Sequence, residues 1–462
     1  MRGLVGDVGL FINRTIGRWI PDPFILAIGL TVVTALLAFI LPETFSERGE
    51  TSKFVALVDA WWGSDGLWKL LQFSMQMALI LVTGYALAAS RPIRTAIEQI
   101  ASIPHSTTSG AMLVAFVAVL TGLINWGLAL VVGALLARAV GKSLEKRGIP
   151  CHYPMLAAAG YVGMLVWHGG FSGSAPLSMT TPAGAAKVLP PEVAAQFAQD
   201  GIPLQQTILS TMNIITSLGM LVIAPLFFMI VAPRRVEDHL SPRDLGVTFE
   251  EPQTDPAEHD GPASIVLGVG LGVALLVGFL VYAKDAGVSR LGLNQINAIM
   301  LGLGLILHGS PSSYIRAVED AARGCAGIIL QFPLYAGVMG IMAASGMLAM
   351  FAGFAAENSS ATTLPLFTFV SAGVVNIFVP SGGGQWAVQG PIALKAGLDN
   401  GVPIGRMIMS VAYGDQLTNM LQPFWALPLL AITGVRARDI VGYTALLMVV
   451  AAVWMAIGLI WF

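Results

Sequence analysis

Long stretches without Lys, Arg, Asp or Glu alternate with short charged connections along the chain. They run 24–41, 70–90, 106–137, 153–186, 201–233, 261–283, 291–315, 324–356, 358–394 and 440–462, and Met407–Val435 is broken only by Asp415. Each is long enough to cross a hydrocarbon core, which takes about 20 apolar residues in helical form. The pattern predicts an all-α polytopic membrane protein with spans at about 24–41, 70–90, 208–232, 263–282, 293–309, 324–348 and 440–461. Two stretches do not fit a single crossing. As one helix, 106–137 would be about 48 Å long against a core of about 30 Å. The stretch 358–394 carries the polar turn PSGGGQ in its middle. Non-helical backbone at membrane depth survives only inside protein or against a watery cavity, so both stretches read as re-entrant hairpins. Their tips fall at Gly122–Gly127 and Ser381–Gln385. Two further spans read as discontinuous. The first, 153–186, is broken by WHGGFSGSAP at Trp167–Pro176, and the second, 407–432, is broken around Tyr413–Asn419 and again at Pro423 and Pro428.

The basic residues set an orientation. Arg2, Arg14 and Arg18 place the N-terminus in the cytoplasm. Arg91 and Arg94 before 106–137, with Arg138, Lys142, Lys146 and Arg147 after it, put both ends of the first hairpin on that same side. By the same count the second hairpin enters from outside. Met1–Trp19 lacks the apolar core and cleavage site of a signal peptide and reads as an amphipathic surface helix. The charged, proline-rich segment 233–262 reads as a flexible cytoplasmic linker.

The chain also repeats itself. Gly122-x-x-Asn125 matches Gly373-x-x-Asn376 at an offset of 376 − 125 = 251, Tyr161 matches Tyr413 and Pro176 matches Pro428 at 252, and Gly148-Ile-Pro150 matches Gly401-Val-Pro403 at 253. Residues 1–232 and 291–462 then form two repeats, each with a hairpin and a broken span, and the connecting span 263–282 inverts the second. Inverted repeats with discontinuous helices are a secondary-transporter architecture.

Composition narrows the reading. The chain is 55% hydrophobic and 11% charged, with a mean hydropathy of +0.76. Its net charge of −2 gives no reason to expect a nucleic-acid partner. Cys151 and Cys325 have neither disulfide nor metal-ligand spacing. No HExxH, Walker loop or Asp-rich motif is present, so neither a membrane enzyme nor an ATP-driven pump is expected, and no cofactor beyond a coupling ion.

VPSGGGQWAVQGP at 379–391 and AYGDQLTNMLQPFW at 412–425 resemble the bacterial short-chain fatty acid transporter family, over essentially the whole chain. The resemblance implies the ion transporter superfamily fold, a homodimer in the bacterial inner membrane, elevator-type movement, and import of small monocarboxylates such as butyrate or acetoacetate by H+ or Na+ symport. An exchanger or exporter of another small organic anion is the alternative, and a channel with two hairpins a further one.

Such a substrate has one delocalised charge and a small apolar tail. Helix N-termini can meet the charge with N–H groups and partial positive charge. Ser381, Gly382, Gly383, Gly384 and Gln385 at the second tip, and Ser172, Gly173 and Ser174 at the first break, are the expected carboxylate site. Thr418 and Asn419 add side-chain donors, and Trp386 or Phe424 a cover for the tail. No Lys or Arg lies at a tip or break, which fits a monoanion better than a dianion. Asp415 is the one formal charge between Arg406 and Arg436. Intramembrane acids default to functional roles, here either as a proton carrier or as a Na+ ligand with Asn125 and Asn376. His168, beside the glycines of the first break, is a second proton-carrier candidate. His308 is given no role.

Overall fold

The computed structural model describes residues 22–41, 44–45, 52–197, 199–233, 235–249, 260–286, 293–357 and 359–462. Within these residues the chain is helical, with no strand. The surface helix expected at Met1–Trp19 and the linker centre at 250–259 lie outside the described residues.

In chain order, α1 (Pro23–Ile40), α2 (Lys53–Trp62), α3 (Leu71–Ala89) and α4 (Arg91–Ser102) precede the first hairpin, α5 (Thr107–Ile124) and α6 (Trp126–Lys146). The first broken span is α7 (Tyr153–Tyr161), two 3₁₀ turns, then α8 (Ser174–Ser178) and α9 (Pro182–Val188); α10 (Thr211–Val231) follows. After the linker come α11 (Pro262–Ala286), α12 (Leu293–His308), α13 (Pro311–Ala322), α14 (Ala326–Ala344) and α15 (Met347–Glu357). The second hairpin is α16 (Leu364–Phe378) and α17 (Gly382–Asp399), the second broken span α18 (Ile404–Thr418) and α19 (Pro423–Thr433), and α20 (Ala437–Trp461) ends the chain. Among the described residues, eight helical segments are long and apolar enough to cross a membrane, so the protein is a multi-pass membrane protein.

Three local features differ from the expectation. The charged connection 42–67 is not loop alone but contains α2, capped by the Ser52 hydroxyl. The first hairpin outruns the uncharged stretch 106–137, with arms of 18 and 21 residues, because α6 continues through Arg138 and Lys142 into Lys146. The linker is not wholly loose. Leu240 donates its N–H to His152 Nδ1 at 3.0 Å, Arg243 pairs with Glu145 at 2.9 Å, and Phe249 lies 5.3 Å beneath the Arg138 guanidinium, so 235–249 is docked on α6 and the start of α7.

The breaks also shift. The first opens at Val162, where α7 gives way to 3₁₀ turns, and not at Trp167. In the second, α18 runs unbroken through Asp415 to Thr418, and the break is confined to Asn419–Gln422. Asp415 thus sits in the last turn of a helix rather than in unwound chain.

Close packing is made by glycines that repeat. Hairpin one packs on α7 and hairpin two on α18, while α19 crosses onto α6, and α8 and α9 onto α17. A Cβ on Gly122 would lie 2.4 Å from the Gly163 carbonyl oxygen, and one on Gly163 2.4 Å from that of Ala118. In the second half a Cβ on Gly414 would lie 2.2 Å from the Phe369 oxygen and 2.9 Å from Gly373 N. The partners 122, 163 and 118 map onto 373, 414 and 369 at a constant 251. Small residues let membrane helices approach to backbone distance, and here the same seam is built twice.

Carbonyls at the breaks are taken by a tyrosine in one case and an asparagine in the other. Tyr161 donates to the carbonyls of Asn419 at 2.8 Å and Gln422 at 3.2 Å. Tyr413 donates to Asn213 Oδ1 at 3.0 Å, and Asn213 Nδ2 donates to the Gly169 carbonyl at 2.8 Å. The first half thus supplies a donor to the second break, and Tyr413 of the second fixes the Asn213 amide that serves the first. At the far end of the linker, Asp260 accepts from Ser310, Ser312 and Ser264, and these bonds hold its carboxyl at about 2, below the usual value. A depressed carboxylate supports the fold above its ordinary titration range and ceases to as pH falls through about 2.

Replacing Tyr161 by Phe removes the hydroxyl donor from the Asn419 and Gln422 carbonyls, of which Asn419 keeps the Gln422 N–H, at a cost of about 1–3 kcal/mol. The thermal unfolding midpoint of the detergent-purified variant falls, whereas Gly278→Ala, which meets nothing within 4 Å, leaves it unchanged.

Candidate functional site

Both hairpin tips are helix starts, and their first residues decide how. Asn125, the whole of tip one, has an extended backbone and accepts from the N–H groups of Gly127 at 2.8 Å and Leu128 at 3.2 Å. The second tip is Val379-Pro380-Ser381. Ser381 caps α17 by accepting from Gly384 N at 3.2 Å. The first-turn N–H groups of Gly382 and Gly383 have no intrahelical carbonyl to meet. A Cβ on Gly383 would meet nothing within 4 Å, so a ligand atom can approach that backbone.

The two tips and the first break close on one cavity of about 250 Å³. Its polar lining is Ser172, Ser174, Ser381, Gly382 and Gly383; its apolar walls include Phe73, Trp126, Trp167 and Trp425. Ser172 ties the break to tip one by accepting from Trp126 N at 3.0 Å, and Phe171 N donates to the Leu123 carbonyl at 2.9 Å. Trp126, Trp167 and Trp425 form a triangle with ring centroids 6.4, 5.0 and 6.2 Å apart. Phe73 packs edge-on to Trp425 at 6.0 Å. No lysine or arginine lines the cavity.

Directly behind Gly382 lies a buried acid–imidazole pair. A Cβ on Gly382 would come within 2.4 Å of His168 Nε2. That nitrogen is 3.9 Å from Asp415 Oδ1, beyond a hydrogen bond, with both side chains nearly inaccessible. Neither ring nitrogen of His168 nor Oδ2 of Asp415 has a hydrogen-bond partner among the described residues. The backbone is held from both sides: His168 N donates to Gln416 Oε1 at 3.0 Å, and the Asp415 carbonyl accepts from Asn376 Nδ2 at 2.6 Å.

Of the residues expected at the site, Ser381, Gly382, Gly383, Ser172 and Ser174 come together around the cavity, with His168 and Asp415 behind it. Gly173 and Gly384 stand next to it but do not line it. Gln385 turns into the hairpin, donating to the Ala372 carbonyl and to Gln389 Oε1, both at 2.9 Å. Thr418 and Asn419 are used in helix packing. Thr418 donates to the Gly373 carbonyl at 2.9 Å, and both accept from Asn376 Nδ2, at 3.0 and 2.8 Å. Asn376 lies within α16, one turn before its tip, whereas Asn125 is itself the tip, so the two matched asparagines are not equivalent in place. Trp386 packs on Gly390 and Val188, and Phe424 lies behind Phe73 against Phe332 at 4.2 Å. The aromatic walls Phe73, Trp167 and Trp425 were missed. A signal existed, since a tryptophan falls within a few residues of every tip and break: Trp126, Trp167, Trp386 and Trp425.

Comparison with known proteins gives the same direction from the whole chain. Residues 4–462 match the family model described as "Short chain fatty acid transporter". A protein of Escherichia coli (strain K12) is 36% identical over 462 residues, 99% of each chain. One of Haemophilus influenzae is 36% identical over 464 residues, again 99% of each. Both are provisionally named short-chain fatty acid transporters. A looser likeness, at 16% identity and a TM-score of 0.44 over 96% of this chain and 98% of the other, is to the crystal structure of the Alcanivorax borkumensis YdaH transporter.

Gly382→Val drives a side chain into the His168 and Trp167 rings, an overpacking cost of about 1–3 kcal/mol. Its unfolding midpoint drops measurably in a thermal-shift assay, while Gly383→Ala, in open space, stays within about 0.5 kcal/mol of the parent.

Proposed function

The chain belongs to the short-chain fatty acid transporter family, and from that premise we propose that it is a secondary active carrier importing small monocarboxylates such as butyrate or acetoacetate by H+ symport. The observation that carries the proposal is the cavity, a single compartment with helix-start N–H groups and serine hydroxyls on one side and three tryptophans and a phenylalanine on the other. The carboxylate lies against Gly382, Gly383 and Ser381, with Ser172 and Ser174 opposite. A charge met by N–H dipoles alone is held without a permanent cation, so it can be released again. The hydrocarbon tail packs against Phe73, Trp126, Trp167 and Trp425.

His168 and Asp415 carry the coupling proton in this reading. They sit one glycine behind the carboxylate site, so a proton on the pair offsets the negative charge arriving in front of it. A neutral, loaded site crosses an apolar barrier at far lower cost than a charged one. Na+ coupling is the second reading, and buried oxygens without partners favour it: Asp415 Oδ2, Asn376 Oδ1 and Gln422 Oε1. Asn125 has no part in it, because its Oδ1 is already taken by two backbone N–H groups.

The glycine seams support treating each hairpin and its broken span as one unit, in two inverted repeats that meet at the cavity. Elevator movement of these units against the outer helices, in a homodimer of the bacterial inner membrane with a cytoplasmic N-terminus, completes the proposal. Helices α1 and α11, with 17% and 11% of their spans buried, have the surface left over to meet lipid or a second copy.

The test is uptake of labelled butyrate into proteoliposomes with a pH gradient or a Na+ gradient imposed separately. A pH gradient alone drives accumulation, and Asp415→Asn abolishes it while the variant stays monodisperse. Accumulation driven by Na+ alone moves the coupling to the second reading, and failure under both gradients removes coupled uptake altogether. Trp425→Ala opens the apolar wall and shifts preference toward longer acids. Each added methylene is worth about 10-fold or more in the ratio of hexanoate to butyrate uptake efficiency, compared with the parent.

A further inference from the structure

Apart from the central cavity, two hollows join end to end along α6. The first, of about 360 Å³, lies where α6 leaves the apolar zone, between α3, α4 and the docked linker. Among the described residues its lining carries Arg94, Arg138, Lys142, Lys146 and Arg147, and Glu98 is its one acid. Two of these guanidinium groups are fixed by carbonyls rather than carboxylates. Arg138 donates to the Ile432 and Thr248 oxygens, and Arg147 to those of Ser102 and Pro104. Among the described residues no carboxylate pairs with either of them. Glu145, the nearby acid on α6, is paired with Arg243 of the linker.

The second hollow, of about 400 Å³, shares Ala88, Ile97 and Leu135 with the first and continues to the tip of hairpin one. Apart from Asn125 at its end, its lining is wholly apolar. Along α6 the lining positions Leu128, Val131, Leu135, Ala139, Lys142 and Lys146 recur at helical spacing, so one face of the helix passes from apolar to cationic in a single run. From Leu128 to Lys142 the run spans 142 − 128 = 14 residues. That is about 21 Å of helix, more than the roughly 15 Å depth of one leaflet's hydrocarbon. The facing wall repeats the division: α4 turns Ile93, Ile97 and Ile100 to the apolar hollow and Arg94 to the rim. A helix of this kind lies at a membrane interface.

We propose that these joined hollows are a binding site for an anionic phospholipid, its phosphate among the rim cations and one acyl chain along α6 toward Asn125. The charge calls for an anion, and the long apolar groove calls for a long chain. A short-chain acid has the first property and lacks the second. Basic pockets of this kind between membrane helices are where acidic headgroups settle. The consequence for transport rests on the carrier reading: the lipid fills the seam between hairpin one and the helices α3, α4 and α12, where elevator movement would take place.

Binding is read separately from transport, by native mass spectrometry of the purified full-length chain offered equal phosphatidylglycerol and phosphatidylcholine. The parent retains phosphatidylglycerol preferentially. Arg94→Glu, Lys142→Glu and Lys146→Glu each lower that retention by about fivefold or more, and the triple variant abolishes it. Lys142→Arg with Lys146→Arg keeps it. Ala88→Phe, which blocks the junction of the hollows and alters no charge, also abolishes it. Equal retention of the two lipids by the parent overturns the proposal, and so does unchanged retention in the triple variant or in Ala88→Phe. If the triple variant keeps its lipid but loses butyrate uptake, the rim serves the solute path and the proposal is likewise overturned. A parent that retains phosphatidylglycerol but transports no fatty acid leaves the lipid site standing and overturns only the carrier reading.

Discussion

A helix interrupted inside a membrane must find protein partners for every backbone group it releases, because lipid offers none. This constraint organises the protein. Each break is bonded to the opposite half: Tyr161 from the first donates to the carbonyls of Asn419 and Gln422, and Gln416 from the second accepts from the N–H of His168. The tips follow the same rule with shorter means, Asn125 and Ser381 each capping the helix that starts there. Gln422 adds a bond from its amide to the Asn376 carbonyl, holding the second break to hairpin two. The result is that the two discontinuous helices are hydrogen-bonded across the halves.

Meeting that constraint leaves a defined remainder. The N–H groups of Gly382 and Gly383 and the His168–Asp415 pair are among the polar groups near the centre that the described residues leave unused. They adjoin one another because the tips and breaks adjoin one another. The tryptophans then seal the space that the missing helical turns leave open, so the same interruption that exposes polar backbone also creates an apolar wall beside it.

Much of this was legible in the sequence, and what was not has a physical reason. Charge-free length located the membrane helices, and the motif SGGGQ marked a tip because glycines there give backbone access. The repeat at offset 251 was also readable, and its meaning turned out to lie in Gly122, Gly163, Gly373 and Gly414, which touch across helices, more than in Asn125 and Asn376. Side-chain direction was hidden. Thr418, Asn419 and Gln385 are as polar as the cavity serines, but their rotation about the helix axis turns them onto neighbouring backbone. The break in the second span was misjudged because Gly414 and Asp415 suggest unwinding, whereas Gly414 is a contact residue in a continuous helix. The docking of 235–249 was unreadable because it depends on Arg138, Glu145 and His152, which belong to distant elements.

The open space around Gly383 also makes it a natural reporter position. Both native thiols, Cys151 and Cys325, are buried, at 4% and 5% exposure, so the parent offers little to a bulky water-soluble maleimide. A cysteine at 383 would be the one thiol facing the cavity mouth, on a position whose added Cβ disturbs nothing. Its alkylation rate, from either side of a sealed vesicle and with or without solute, gives a clock for how often the second tip meets water and on which side of the bilayer it does so.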